Sequence, residues 1–127
     1  MFEEIRSRIQ RGLPVMATCA GAILLAQQIL DDPTVHLGTL GIAVRRNAYG
    51  RQVSSFQVNG TFAGIRDVAM SFIRAPQIEF CVPNVEVLAE HEGRITAVRQ
   101  GRQLAMTFHP ELGSDTRIAE YFISEVV

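Results

Sequence analysis

The chain has 127 residues, 47% of them hydrophobic and 20% charged, which suits one globular domain with enough apolar material for a core. Twelve Lys plus Arg against thirteen Asp plus Glu leave a formal net charge of -1, without the positive excess that draws phosphate backbones, so no nucleic-acid partner is expected. The longest apolar stretches, such as Ala20 to Leu25, fall far short of the roughly 18 residues of a membrane span, and the acidic start lacks the basic n-region of a secretory signal. A cytoplasmic chain with no membrane partner is the expectation.

In chain order, Phe2, Ile5 and Ile9 recur at helical spacing among charged residues, and Gly12 follows as a stop, which predicts an opening helix. Leu13 to Ala17 is a short apolar run that fits a buried strand. Thr18-Cys19-Ala20-Gly21 then turns into a helical pattern predicted over Ala22 to Leu30. Helix, buried strand, small-residue turn and helix together are an α/β signature. Beyond Pro33 the spans Ile42 to Arg46, Val53 to Val58, Val68 to Ile73, Val85 to Leu88, Ile95 to Val98 and Leu104 to Phe108 read as strands. From Ser114, apolar positions Ile118, Tyr121, Phe122 and Val126 behind a capping residue predict a closing helix. No repeat, linker or low-complexity tract divides the chain.

Two cysteines in unlike contexts and three scattered histidines argue against a disulfide framework or a zinc site, and no metal or cofactor is expected. Cys19 lies between a buried strand and a helix, where free backbone N–H groups favour the thiolate; the alternative is a small buried hydrophobe. His109-Pro110-Glu111 follows the strand ending at Phe108. If the chain stays extended there, His109 and Glu111 point to one side, and the carboxylate can orient the ring and stabilise the imidazolium. Read alone, this segment is more often a loop than a catalytic pair. Arg45, Arg46 and Arg51 alone are a solvated basic patch, and Arg74 a surface ion pair. Cys81, between Phe80 and Val82, reads as a packing residue, and His36 and His91 as surface residues.

Leu13-Pro-Val-Met-Ala-Thr-Cys-Ala-Gly, Val44-Arg-Arg-Asn-Ala-Tyr-Gly-Arg-Gln-Val-Ser-Ser-Phe, Phe72-Ile-Arg-Ala-Pro, Val98-Arg-Gln-Gly and Phe108-His-Pro-Glu-Leu resemble, in order and spacing, the glutaminase subunit family of pyridoxal 5'-phosphate synthase, which belongs to the class I glutamine amidotransferases. The resemblance covers nearly the whole chain. It implies a flavodoxin-like three-layer α/β sandwich, with residues 1–127 forming part of one amidotransferase domain. It also implies hydrolysis of L-glutamine to glutamate and ammonia, with ammonia passed to a separate synthase subunit as partner. Carried over by motif, Cys19 is the nucleophile, His109 the general acid/base, Glu111 its orienter and the Ala20 N–H an oxyanion donor. Arg46, Ile73 and Arg74 match glutamine-binding positions, where an arginine fork can pair with the amino-acid carboxylate.

The sequence departs from the family pattern in two places. Ala17 stands two residues before the nucleophile, where the family has glycine, and its methyl group could strain the elbow. The family's first strand-helix units carry a Gly-Gly-Glu-Ser/Thr segment that supplies a second oxyanion donor, and this chain has no Gly-Gly. The expectation is a fold lacking those units, with glutaminase activity lowered. The competing expectation is an inactive remnant that serves as an interaction module.

Overall fold

The structure, a computed structural model, describes residues 2–46 and 55–127. It opens on helix α1 (Phe2–Gln10), whose Ile9 is buried while Glu3, Glu4 and Arg8 face outward. Gly12 adopts φ +107° and lets the chain leave the helix, with Leu13 N–H returning to Arg8 O at 2.9 Å. Strand β1 (Val15–Thr18) leads through Cys19 into the short helix α2 (Ala20–Leu25), and β2 (Ala26–Ile29) follows directly. The helix expected through Leu30 therefore ends at Leu25. Ala26 to Ile29, although built of helix-tolerant Ala and Gln, pairs in parallel with β3 (Leu40–Arg45), so strand pairing overrides local propensity.

Next come β4 (Ser55–Phe62) and β5 (Ile65–Ile73), which pair antiparallel with each other as a separate two-stranded ribbon. Of the strand expected over Val53 to Val58, Val53 and Ser54 lie outside the described residues, and the observed strand runs on to Phe62. Strands β6 (Gln77–Cys81), β7 (Glu86–His91), β8 (Arg94–Gln100) and β9 (Gln103–Met106) complete the main sheet. Strand β6 has no counterpart among the expectations. The main sheet runs β1-β9-β8-β6-β3-β2, with β7 also paired to β8 and a single bridge, Ile78 to Ile95, joining β6 to β8. Strand β1 pairs in parallel with β9, from Val15 opposite Gln103 to Thr18 opposite Met106. Its other edge carries no strand among the described residues.

Alternation along the strands splits the core into two layers. Ala17, Val98 and Ala105 face one side, where Ile9 of α1 and Ala22 and Leu25 of α2 close over them. Met16, Ala97, Leu104 and Met106 face the other, against Phe62, Val68, Met70 and Phe72 of the ribbon and Ile118 of the closing helix. The result is a mixed α/β sandwich with a curled sheet between helices on one side and a ribbon plus helix on the other. The closing helix α3 (Arg117–Tyr121) starts after Thr116 rather than at Ser114, and continues through Phe122–Val126 in wider turns, with Val127 N–H bonding Phe122 O at 3.0 Å. Two histidines expected at the surface also make ring contacts. His91 lies 5.8 Å from the Phe56 ring and 6.1 Å from Phe72, and His36 lies edge-on to Phe2; both are half-buried. Cys81 packs against the helical-side core, as expected of a packing residue.

Candidate functional site

Cys19 sits one residue beyond β1 with φ 50° and ψ −110°, a left-handed conformation that non-glycine residues rarely adopt. Two hydrogen bonds hold it there: its N–H reaches Met106 O at 2.9 Å, prolonging the β1–β9 ladder, and its carbonyl accepts Ala22 N–H at 3.1 Å. The methyl group of Ala17 is accommodated by its neighbour. A Cβ placed on Gly21 would lie 3.1 Å from Ala17 Cβ, so the glycine at position 21 makes room for alanine at 17. Cys19 is half-buried.

The Cys19 thiol donates to Ile73 O at 3.6 Å, which brings the end of β5 against the elbow. Burial pushes the thiol up, the Ala20 N–H hydrogen bond pulls it down, and the negative charge of Glu111 adds to the upward push; the balance is above the ordinary thiol value. This corrects the expectation that the helix N-terminus would favour the thiolate: α2 has only six residues, and burial outweighs the local N–H groups.

His109 lies three residues beyond β9, where its N–H is fixed by Ser71 O of β5 at 2.8 Å. Its Nδ1 and Glu111 Oε2 are 2.6 Å apart. The pairing arises differently from the expectation, because Pro110–Leu112 forms a single tight helical turn rather than extended chain. Partial burial raises the Glu111 carboxyl, but its own N–H and the hydrogen bond and charge of His109 outweigh that and leave it below the ordinary carboxylate value. An ionised Glu111 only accepts, so Nδ1 carries the proton and Nε2 is left as the basic nitrogen.

Of the expected substrate-binding residues, Ile73 lies against this centre through its contact with the Cys19 sulfur. Arg74 directly follows Ile73, with φ 45°. Arg46 follows β3, whose last residue, Arg45, pairs with Gln77 three positions beyond Arg74. The contacts of Gln103 with Thr39 and of Gln100 with Gly41 put the start of β3 at the end of the sheet where β1 also starts. Cys19 and Arg46 therefore emerge at the same opposite end. Arg46 is held by Asp31 and Asp32: its N–H reaches Asp31 Oδ1 at 3.3 Å, and Nη1 reaches Asp32 Oδ2 at 3.2 Å. Sequence reasoning missed both aspartates, although their adjacency before Pro33 marks a turn. Among the described residues no group of three or more metal-ligating side chains forms, and no helix is long and apolar enough to cross a membrane.

A half-buried cysteine on a strained strand-to-helix elbow, with a His-Glu pair at the end of the neighbouring parallel strand, defines a class I glutamine amidotransferase-like architecture. A solved structure titled "Crystal structure of glutamine amidotransferase" superposes with a TM-score of 0.91 at 44% identity, covering 96% of this chain and 66% of that one. The chain belongs to the SNO glutamine amidotransferase family, whose model matches residues 1–127. Relatives named "Pyridoxal 5'-phosphate synthase subunit PdxT" include that of Methanocorpusculum labreanum, 50% identical over 99% of this chain and 66% of its own length. Those of Desulfitobacterium hafniense and Kosmotoga olearia are 47% and 48% identical, over 99% and 100% of this chain and 63% and 68% of their own lengths. The chain thus spans about two thirds of the length of the relatives it matches.

Proposed function

We propose that the chain is the triad-bearing part of a glutaminase domain that hydrolyses L-glutamine and delivers ammonia to a pyridoxal 5'-phosphate synthase subunit. The observation that carries this reading is the 2.6 Å His109–Glu111 pair, one parallel strand away from the elbow that presents Cys19. In the reaction, His109 Nε2 takes the Cys19 thiol proton and the resulting thiolate attacks the side-chain amide carbon of glutamine. His109 gives a proton to the leaving nitrogen, the C–N bond breaks, and ammonia departs from a thioester. Water, deprotonated by His109, then cleaves the thioester to glutamate and restores the thiol. Glu111 holds the ring and stabilises its cationic form. Glutamine would displace the resting thiol contact with Ile73 O, while Arg46 and Arg74 receive its carboxylate.

The Ala20 N–H, which pulls the Cys19 thiol down, supplies one donor to the amide oxyanion in this reading, as the residue after the nucleophile does in such elbows. In enzymes where one oxyanion donor was removed, the rate fell about a hundred- to a thousandfold. The reading as an interaction module without turnover therefore stands beside the first, and one assay separates them. Ammonia release from glutamine is measured for the chain alone and for the chain extended upstream with a relative's Gly-Gly segment, both with the synthase subunit present. Slow release by the chain, raised at least a hundredfold by extension, is expected. Release from neither, with Cys19 intact, would remove the glutaminase reading.

A further inference from the structure

The cation at Arg46 is not simply solvated. Asp32 uses one oxygen for each of two partners: Oδ1 accepts the Thr34 N–H at 2.9 Å, and Oδ2 faces Arg46 Nη1 at 3.2 Å. The turn carrying this carboxylate is itself anchored, because Leu30 N–H bonds Val44 O at 2.8 Å and Asp32 N–H bonds Ile29 O at 3.3 Å. Asp31 fixes the backbone N–H of the same arginine. Arg46 is thus restrained at its backbone and at one corner of its guanidinium, and among the described residues Nε and Nη2 have no partner.

An arginine carries five N–H donors in a rigid fork, and a carboxylate takes two of them side by side. A single-point contact at Nη1 orients the plane while leaving the Nε–Nη2 edge open. We propose that Asp32, held by Thr34, is a positioning residue that presents the free edge of Arg46 to the α-carboxylate of the amino-acid substrate. This rests on the reading of Arg46 as a carboxylate receptor. The alternative is that Asp32 competes with substrate for the guanidinium; against it stand the monodentate contact and the separate tether of Asp32 to Thr34. The Thr34 hydroxyl and N–H, followed by the Arg46 charge, hold the Asp32 carboxyl below its ordinary value, so this carboxylate stays ionised at neutral pH. Restraining a long side chain before binding lowers the ordering cost charged to the ligand.

The test is calorimetric titration of L-glutamine into the chain carrying Cys19→Ser, which binds without turnover, alone and with Asp32→Asn, Arg46→Gln or both. Asp32→Asn keeps an oxygen for Thr34 N–H; Asp32→Ser is the second variant should the first fold poorly, with melting temperature recorded for each. We expect Asp32→Asn to weaken glutamine binding about three- to tenfold, and to have no further effect once Arg46 is Gln. Unchanged or tighter binding in Asp32→Asn, or an equal loss in the Arg46→Gln background, would overturn the proposal while sparing the role of Arg46. Full affinity in Arg46→Gln would remove Arg46 from the site, and this inference with it. Absence of glutamine binding by the Cys19→Ser parent would overturn the glutamine reading itself.

Discussion

Burial is the strongest influence on the Cys19 thiol and, with the charge of Glu111, outweighs the Ala20 N–H. Only the thiolate reacts, so the alkylation rate of folded protein should keep rising with pH beyond the free-thiol range near about 8.5. Glu111→Gln removes one upward push and should bring that profile to lower pH. Iodoacetamide labelling across pH, with mass mapping, checks both; a Cys19 profile at or below the free-thiol midpoint would contradict the account. A glutamine-like electrophile should label Cys19 in preference to Cys81, which packs into the helical-side core and has no such elbow. The same residue scale explains Ala17. Because a Cβ on Gly21 would meet Ala17 Cβ at 3.1 Å, Gly21→Ala should destabilise the chain by about 1–3 kcal/mol. Adding Ala17→Gly should recover part of the loss, read from urea midpoints; a fully additive pair of effects would show that the two methyl groups do not meet.

Among the elements, the link between the closing helix and the ribbon is the most exposed to pH. Arg117 donates to Arg66 O at 2.9 Å and Asp67 O at 2.8 Å, while Asp115 binds its guanidinium at 2.8 Å and its backbone N–H at 3.0 Å. These Arg117 hydrogen bonds, side chain first, lower the Asp115 carboxyl from an ordinary 3.8 to about 2. A depressed folded-state value means the contribution is fully present above pH 3.8 and is lost as pH falls through about 2. Asp115→Asn should therefore melt lower than the parent at pH 7, and the gap should close in acid; a gap independent of pH would assign the effect to shape alone. Legibility in the sequence also divides by element. The elbow and the His109 segment carry local signals, namely small residues between an apolar run and a helical pattern, and a polar triplet after a strand. Strand β6, Gln77–Cys81, lies between Pro76 and Pro83 with Gln and Glu among its residues, and its pairing, chiefly with β3, makes it a strand. Ala26 to Ile29 misleads for the same reason, since its propensity is helical and its partner lies more than ten residues away.

Across the whole molecule, hydrogen bonds from several elements and a layer of side chains hold the β4–β5 ribbon to the rest. Ala63 N–H bonds Leu88 O at 2.8 Å, His109 N–H bonds Ser71 O at 2.8 Å, and Arg117 binds the turn end. What the fold contributes as a whole, the delivery of β1, β3, β5 and β9 to one end, was not legible residue by residue, because it depends on pairings between distant strands. The expectation of a layered α/β sandwich nevertheless held, since apolar alternation alone separates the faces of β1, β8 and β9. Among the described residues the ribbon shares no strand ladder with the main sheet, so it can detach as a cooperative unit without breaking the sheet. Its amide protons should then exchange through one shared opening of lower free energy than that of β1 and β9, and exchange at matched rates in ribbon and sheet would sink the idea. Each such opening would carry Ile73 O away from the sulfur, tying release of the resting thiol contact to a local unfolding event.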